Sequence, residues 1–155
     1  MCKEFLHWTM HNSLALQHIG FTLIRMAIGC MFLIFGWNKL MSGSANLTQI
    51  GSAISYFGIM HGFLLFGYLA ALTELCGGAA YVLGFCTRIV SLPMIFLLIV
   101  AIKFHLQQHD TFTKWSFPAL CLCIVIGFLI AGSGKYSLDY ILSTHAPSGE
   151  RNNYH

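Results

Sequence analysis

Charge is what this chain has least of. Asp, Glu, Lys and Arg together make up 8% of its 155 residues, against roughly a quarter in soluble domains. Too few charged side chains remain to cover a water-facing surface, which excludes an ordinary soluble fold. A net charge of +3 is too small to suggest a nucleic-acid partner, and it fits a few basic residues anchoring helix ends at an anionic lipid face. Motifs are missing as well. There is no CxxC pair, no haem-binding CxxCH, no flavin or nucleotide fingerprint, no metal cage and no repeat of fixed spacing. "GSGK" at 132–135 fails as a phosphate loop, because Leu129 and Tyr136 stand where glycine and Ser or Thr are required. The first twenty residues contain no compact apolar core with a small-residue cleavage site, so no signal peptide is expected.

What is present is hydrophobic. Apolar residues reach 57%, aromatics 14%, and the mean hydropathy is +0.72. Four apolar segments, at about 19–41, 62–86, 88–108 and 115–133, each approach the ~20 residues that span a bilayer. The expectation is an all-α, integral membrane four-helix bundle behind a polar segment at 1–18 and ahead of a disordered polar tail at 143–155. Residues 42–62 are too polar to span. Leu47, Ile50, Ile54 and Phe57 recur there at helical spacing, the pattern of a short amphipathic interfacial segment. Ser116 is expected to cap the fourth span, with Pro118 near its start and Pro93 a candidate kink in the third. Gly132 and Gly134 should end the fourth span, and Ser137 should cap a short helix carrying Asp139 in its first turn. Four spans put both termini on one side. That side holds Lys3, Arg88, Lys135 and Arg151 against Lys39, Lys103 and Lys114 on the other, a bias of one charge toward cytoplasmic termini.

The six cysteines do not form a redox centre on this pattern. Cys2 is terminal, and Cys30, Cys76, Cys86, Cys121 and Cys123 lie in or beside apolar spans. Cys121 and Cys123 stand ~200° apart around a helix and cannot pair. Thiols so placed read as small buried apolar residues.

The polar residues inside the spans carry the functional argument. Arg25, Gly29, Phe32, Gly36 and Lys39 fall on one narrow face of the first span. Two glycines on such a face let another helix approach closely. Glu74 is the one acidic residue in any span, on a face with Gly67, Ala70, Ala71, Gly77, Gly78 and Tyr81. An unpartnered arginine at a helix centre costs about 2.5–3.5 kcal/mol on the translocon scale. The expectation is therefore that Arg25 pairs with Glu74, either as a structural lock on helix register or as part of a functional site. His105 and His109, four apart, would share a helix face, and are read as interfacial rather than metal-binding. His61 and Lys103 should join Lys39 and His105 at one membrane face, a rim suited to an anionic or quinone-like ligand.

Four motifs in order, R-x3-G-x6-G-x2-K, E-x2-GG-x5-G-x2-TR, KFHL and G-x-G-K-Y-S-L-D, give residues 20–142 a resemblance to the DoxX family of small four-span membrane proteins. The pattern positions here are Arg25, Gly29, Gly36, Lys39, Glu74, Gly77, Gly78, Gly84, Thr87, Arg88, His105, Gly134, Ser137, Leu138 and Asp139. The family takes its name from a subunit associated with thiosulfate:quinone oxidoreductase in archaea. The resemblance thus implies a multi-pass bacterial inner-membrane protein, the membrane component of a quinone-linked or oxidative-stress redox system. Arg25, Glu74 and His105 would carry the chemistry, and Lys39, His61 and Lys103 would bind the ligand. Quinone is the cofactor considered. The partners are the lipid bilayer, a soluble or membrane redox protein, and a second copy of the chain. The alternative is a non-catalytic scaffold or assembly factor for another membrane protein. The residues leave open whether the protein is an enzyme.

Overall fold

The computed structural model describes residues 14–145. Its elements are α1 (Leu14–Met41), α2 (Ser44–Gly51), a 3-10 turn (Ser52–Phe57), α3 (Phe63–Leu83), α4 (Thr87–Gln107), α5 (Phe112–Ala131) and α6 (Leu138–His145). The fold is all-α, and α1, α3, α4 and α5 are long and apolar enough to cross a membrane. Lys3, Arg151, Cys2 and most of the two polar end segments lie outside the described residues. α1 nevertheless takes in residues 14–18, and α6 takes in 143–145.

α1 packs along α3, α4 packs along α5, and α2 lies across the start of α3. The core draws on all four long helices: Phe32 from α1, Tyr81 from α3, Met94 and Leu98 from α4, and Cys121, Val125 and Phe128 from α5. The Tyr81 hydroxyl meets the Ser91 hydroxyl at 3.0 Å, and Ser91 donates to the Thr87 carbonyl, so the one phenol in this core is satisfied. Of the thiols expected to be buried, Cys121 is, whereas Cys30, Cys76 and Cys123 are exposed on the outer faces of their helices and Cys86 is half-buried; Cys121 and Cys123, ~200° apart on one helix, cannot both face the core.

Glycines set the distance between α1 and α3. A Cβ at Gly36 would stand 2.5 Å from the Leu75 amide nitrogen, and one at Gly78 would stand 2.6 Å from that of Leu33. These are backbone atoms, which cannot move aside. Two other glycines on α3 face elsewhere than the sequence pattern suggests. A Cβ at Gly77 would meet Met94 of α4 rather than α1. Gly67 faces α2, where a Cβ would come within 2.0 Å of the Leu47 carbonyl oxygen, and Gly51 makes the reciprocal approach to Phe63. The segment between the first two spans is thus docked on the bundle, with Leu47, Ala53 and Ile54 buried.

The helix starts also differ in places. α5 begins at Phe112, not near 115, so Ser116 lies inside the helix and donates to the Thr113 carbonyl instead of capping. Phe112 and Trp115 stack edge to face at 4.9 Å one turn apart, an aromatic pair that extends the helix into the interfacial belt. α4 ends at Gln107, and His109 has a left-handed φ of 53°. His109 therefore shares no helix face with His105. α4 runs unbroken through Pro93.

The close approach of α1 and α3 gives a direct expectation. Gly36→Leu should lower the thermal stability of detergent-solubilised protein by at least the ~1–3 kcal/mol typical of overpacking. Gly127→Leu should be near neutral, since a Cβ there meets nothing within 4 Å. Equal losses in a fluorescence melt would mean that the α1–α3 spacing does not depend on glycine.

Candidate functional site

Two polar centres lie at opposite ends of the bundle, and their membership corrects the pairing of Arg25 with Glu74. Gly29 sits against Gly78 and Val82, and Gly36 against Ala71 and Leu75. This antiparallel register sets Arg25 level with Gly84, ten residues or about 15 Å along α3 from Glu74. Charge alone suggests the pairing, but the helix register forbids it.

Glu74 is instead met by Lys39. The Lys39 ammonium donates to Glu74 Oε1 at 2.5 Å, and the side chains are 29% and 6% exposed. Lys39 lies near the end of α1, and its four-carbon stem reaches about one turn along α3 to the carboxylate. Glu74 Oε2 is buried and has no hydrogen-bond partner in the protein. A buried carboxylate oxygen with open lone pairs is a costly feature unless something else is bonded there.

Lys39 also lines a cavity of about 300 Å³ between α2, α3 and α4, the low end of the range for small-molecule sites. Ala53, Ala70, Leu97 and Val100 form apolar walls, and Lys39, Gln49 and His105 supply the polar groups. His105 Nδ1 lies 2.9 Å from Asp110 Oδ2, and Lys114 donates to the other oxygen of Asp110. His105 is thus oriented from outside the cavity by a carboxylate. The hydrogen bonds from His105 and then Lys114 hold the Asp110 carboxyl below its ordinary value.

The remaining rim residues do other things. Lys103 donates to the Tyr56 carbonyl at 2.7 Å and sits 4.2 Å over the Phe57 ring. It closes the end of the 3-10 turn and does not line the cavity. His61 is exposed in the turn before α3 and does not line it either. The sequence places Ala70 on the Glu74 face but singles out neither Gln49 nor Ala53. A polar residue one helical turn from Ala53, in a segment that must dock on glycine, is the signal that could have found them.

Arg25 belongs to the other end. It is 1% exposed, and its guanidinium donates to the Ser133 carbonyl and, at 2.7 Å, to the Tyr136 carbonyl. Those acceptors become available where α5 stops at Gly132, whose φ is 79°. Gly84 makes room, for a Cβ there would overlap the guanidinium. Asp139 completes the clamp by accepting from the Cys86 amide at 2.9 Å and from the Ser133 hydroxyl. Ser137 caps α6 by accepting from the Tyr140 amide. Arg88 donates to the Ile130 carbonyl from the outside. Burial acts to raise the Asp139 carboxyl. Hydrogen bonds from Ser133 and the Cys86 and Thr87 amides, with Arg25 nearby, outweigh it and hold the group below the usual carboxylate range.

A family model described as DoxX matches residues 20–107, from α1 through the end of α4. The inner membrane protein YqjF of Escherichia coli (strain K12) is 33% identical over 132 residues, covering 83% of this chain and 95% of that protein. No solved structure matches.

The two centres predict distinct couplings. Removing one partner of a buried ion pair costs about 3–5 kcal/mol, and the partial exposure of Lys39 places this pair at the lower end. Lys39→Leu and Glu74→Leu should each destabilise, and the double variant should lose less than their sum. Arg25→Leu with Glu74→Leu should be additive within about 0.5 kcal/mol. Thermal melts of the five variants decide it, and coupling between Arg25 and Glu74 would overturn the register.

Asp139 gives a pH test. A carboxyl whose folded value is depressed contributes stability above its unfolded value of about 4, and that contribution is lost as pH falls through the folded value. Asp139→Asn should lower the melting temperature at pH 7 and flatten its decline between about pH 5 and pH 3. An unchanged slope would show that the clamp does not depend on the charge of Asp139.

Proposed function

The chain belongs to the DoxX family, and from that premise we propose that it is the membrane component of a quinone-linked redox system. Its relative YqjF is an inner membrane protein by name, which supports the inner membrane as this chain's site of action. The ligand site is the Lys39–Gln49–His105 cavity, backed by Glu74. Arg25, Arg88, Ser137 and Asp139 hold the opposite end of the bundle together, and Lys103 braces the segment between the first two spans.

One observation carries this reading. Lys39 faces two ways, toward a buried carboxylate with an unpartnered oxygen and toward an apolar-walled cavity with a carboxylate-oriented histidine. That donor set suits a flat, apolar ring bearing carbonyl oxygens. The Lys39 ammonium and the Gln49 side-chain amide are hydrogen-bond donors available to such carbonyls, and His105, whose Nδ1–H is taken by Asp110, donates through Nε2 in its imidazolium form. A bound quinone would supply two-electron, two-proton chemistry. The chain's part is to orient the ring, exclude water and relay protons between the cavity and Asp110 at the membrane face. Electrons would come from a soluble or membrane partner.

The test is extraction. Protein purified in mild detergent should yield about one quinone per chain to organic solvent. Lys39→Met should lose the quinone while retaining the folded, monodisperse state, and Lys103→Met should keep it. A stoichiometric membrane-protein partner, with no quinone in any preparation, would instead support the scaffold reading.

A further inference from the structure

The cavity beside Lys39 does not end at its apolar wall. A second cavity of about 260 Å³ shares Ile50, Ala70, Leu97 and Val100 with it and continues between α3 and α4 to Thr73 and Pro93. A third, of about 290 Å³, shares Leu69, Thr73 and Pro93 with the second and reaches Gly77 and Val90. From His105 to Val90 the series follows α4 for about 22 Å. α3 and α4 meet only sparsely along this line, in contrast to the tight α1–α3 and α4–α5 seams. The ammonium, amide and imidazole groups are all at one end, and the rest adds only the Thr73 hydroxyl and the Cys76 thiol. Leu69, Leu72 and Phe96, along the rest, are exposed, so the seam opens sideways, which in a membrane means toward lipid.

A polar head site continuous with a long apolar slot that opens to the bilayer has the shape of an amphiphile with a single chain. We propose that the α3–α4 seam holds the flexible chain of the ligand whose ring sits at Lys39 and His105. The ligand is then a lipid-soluble quinone with a single long apolar chain, entering sideways from the bilayer between α3 and α4. This rests on the cavity reading above and adds the substrate class and the route of entry. Thr73 and Pro93, common to the second and third cavities, form the join through which the chain passes. The slot orients the chain more than it attracts it, because lipid is as apolar as the protein wall.

The experiment separates ring from chain. Binding to the full-length protein in detergent is measured by calorimetry for three probes: a decyl-substituted benzoquinone, the same ring without the chain, and decyl alcohol. Thr73→Phe plugs the join. Leu69→Trp narrows the same stretch from a half-exposed position and serves where Thr73→Phe does not fold. The expected result is a loss of tenfold or more in affinity for the decyl-quinone in either variant, with binding of the chain-free ring unchanged. Mutation does not alter partitioning into micelles, so an equal affinity of wild type and both variants for the decyl-quinone would overturn the seam proposal. The ring site would survive that result. Decyl alcohol binding as tightly as the decyl-quinone, with both weakened by the variants, would leave the seam and remove the quinone reading. Failure of all three probes to bind would overturn both.

Discussion

An arginine with 1% of its surface exposed has to be met by acceptors, and in an apolar bundle there are few. Arg25 takes them from the broken end of the last span, at Ser133 and Tyr136. That demand explains much of one end of the protein. Gly132 must stop α5 where the carbonyls turn inward, and Gly84 must lack a side chain where the guanidinium passes. Asp139 must cap α4 while placing a negative charge near the arginine. Helix ends normally leave such groups to water; here the first span collects them.

The other end is arranged the opposite way. Its polar groups leave space between them, and Glu74 keeps an unpaired oxygen. Its neighbours, α2 and the 3-10 turn, reach the bundle only because Gly51 and Gly67 let backbones come within touching distance. The same device, a glycine that removes a side chain at a crossing, thus fixes α1 against α3 and shapes one wall of the cavity. Closure is tight where the chain needs rigidity, and the α3–α4 seam is left loose.

Much of this was legible in the sequence. The four apolar helices follow from hydropathy, and the Arg25–Gly29–Phe32–Gly36 face is buried as its spacing implies. The pairing of Arg25 with Glu74 was not sound, and the reason is geometric. Two charges on facing stripes meet only if the antiparallel register brings them level. Lys39, on the same stripe, meets that condition within a turn and Arg25 misses it by about 15 Å. The true acceptors of Arg25 were illegible, because backbone carbonyls carry no residue identity and any loop can offer them. His109 was misplaced for a related reason: i, i+4 spacing implies a shared face only while the helix continues, and α4 ends at Gln107.

The clamp on Arg25 also has a temporal side. The arginine sits in α1, the first of the four long helices to be made, and its acceptors lie in the residues that follow α5. Until α5 and the turn after it have been made, no protein group in its final position can answer that charge, a debt of about 2.5–3.5 kcal/mol. The nascent first span must meanwhile stay near the bilayer edge or within the insertion machinery. The bundle therefore locks from the turn after α5 backward, and a chain cut short after α4 would carry every helix of the cavity but not the fastening that holds them.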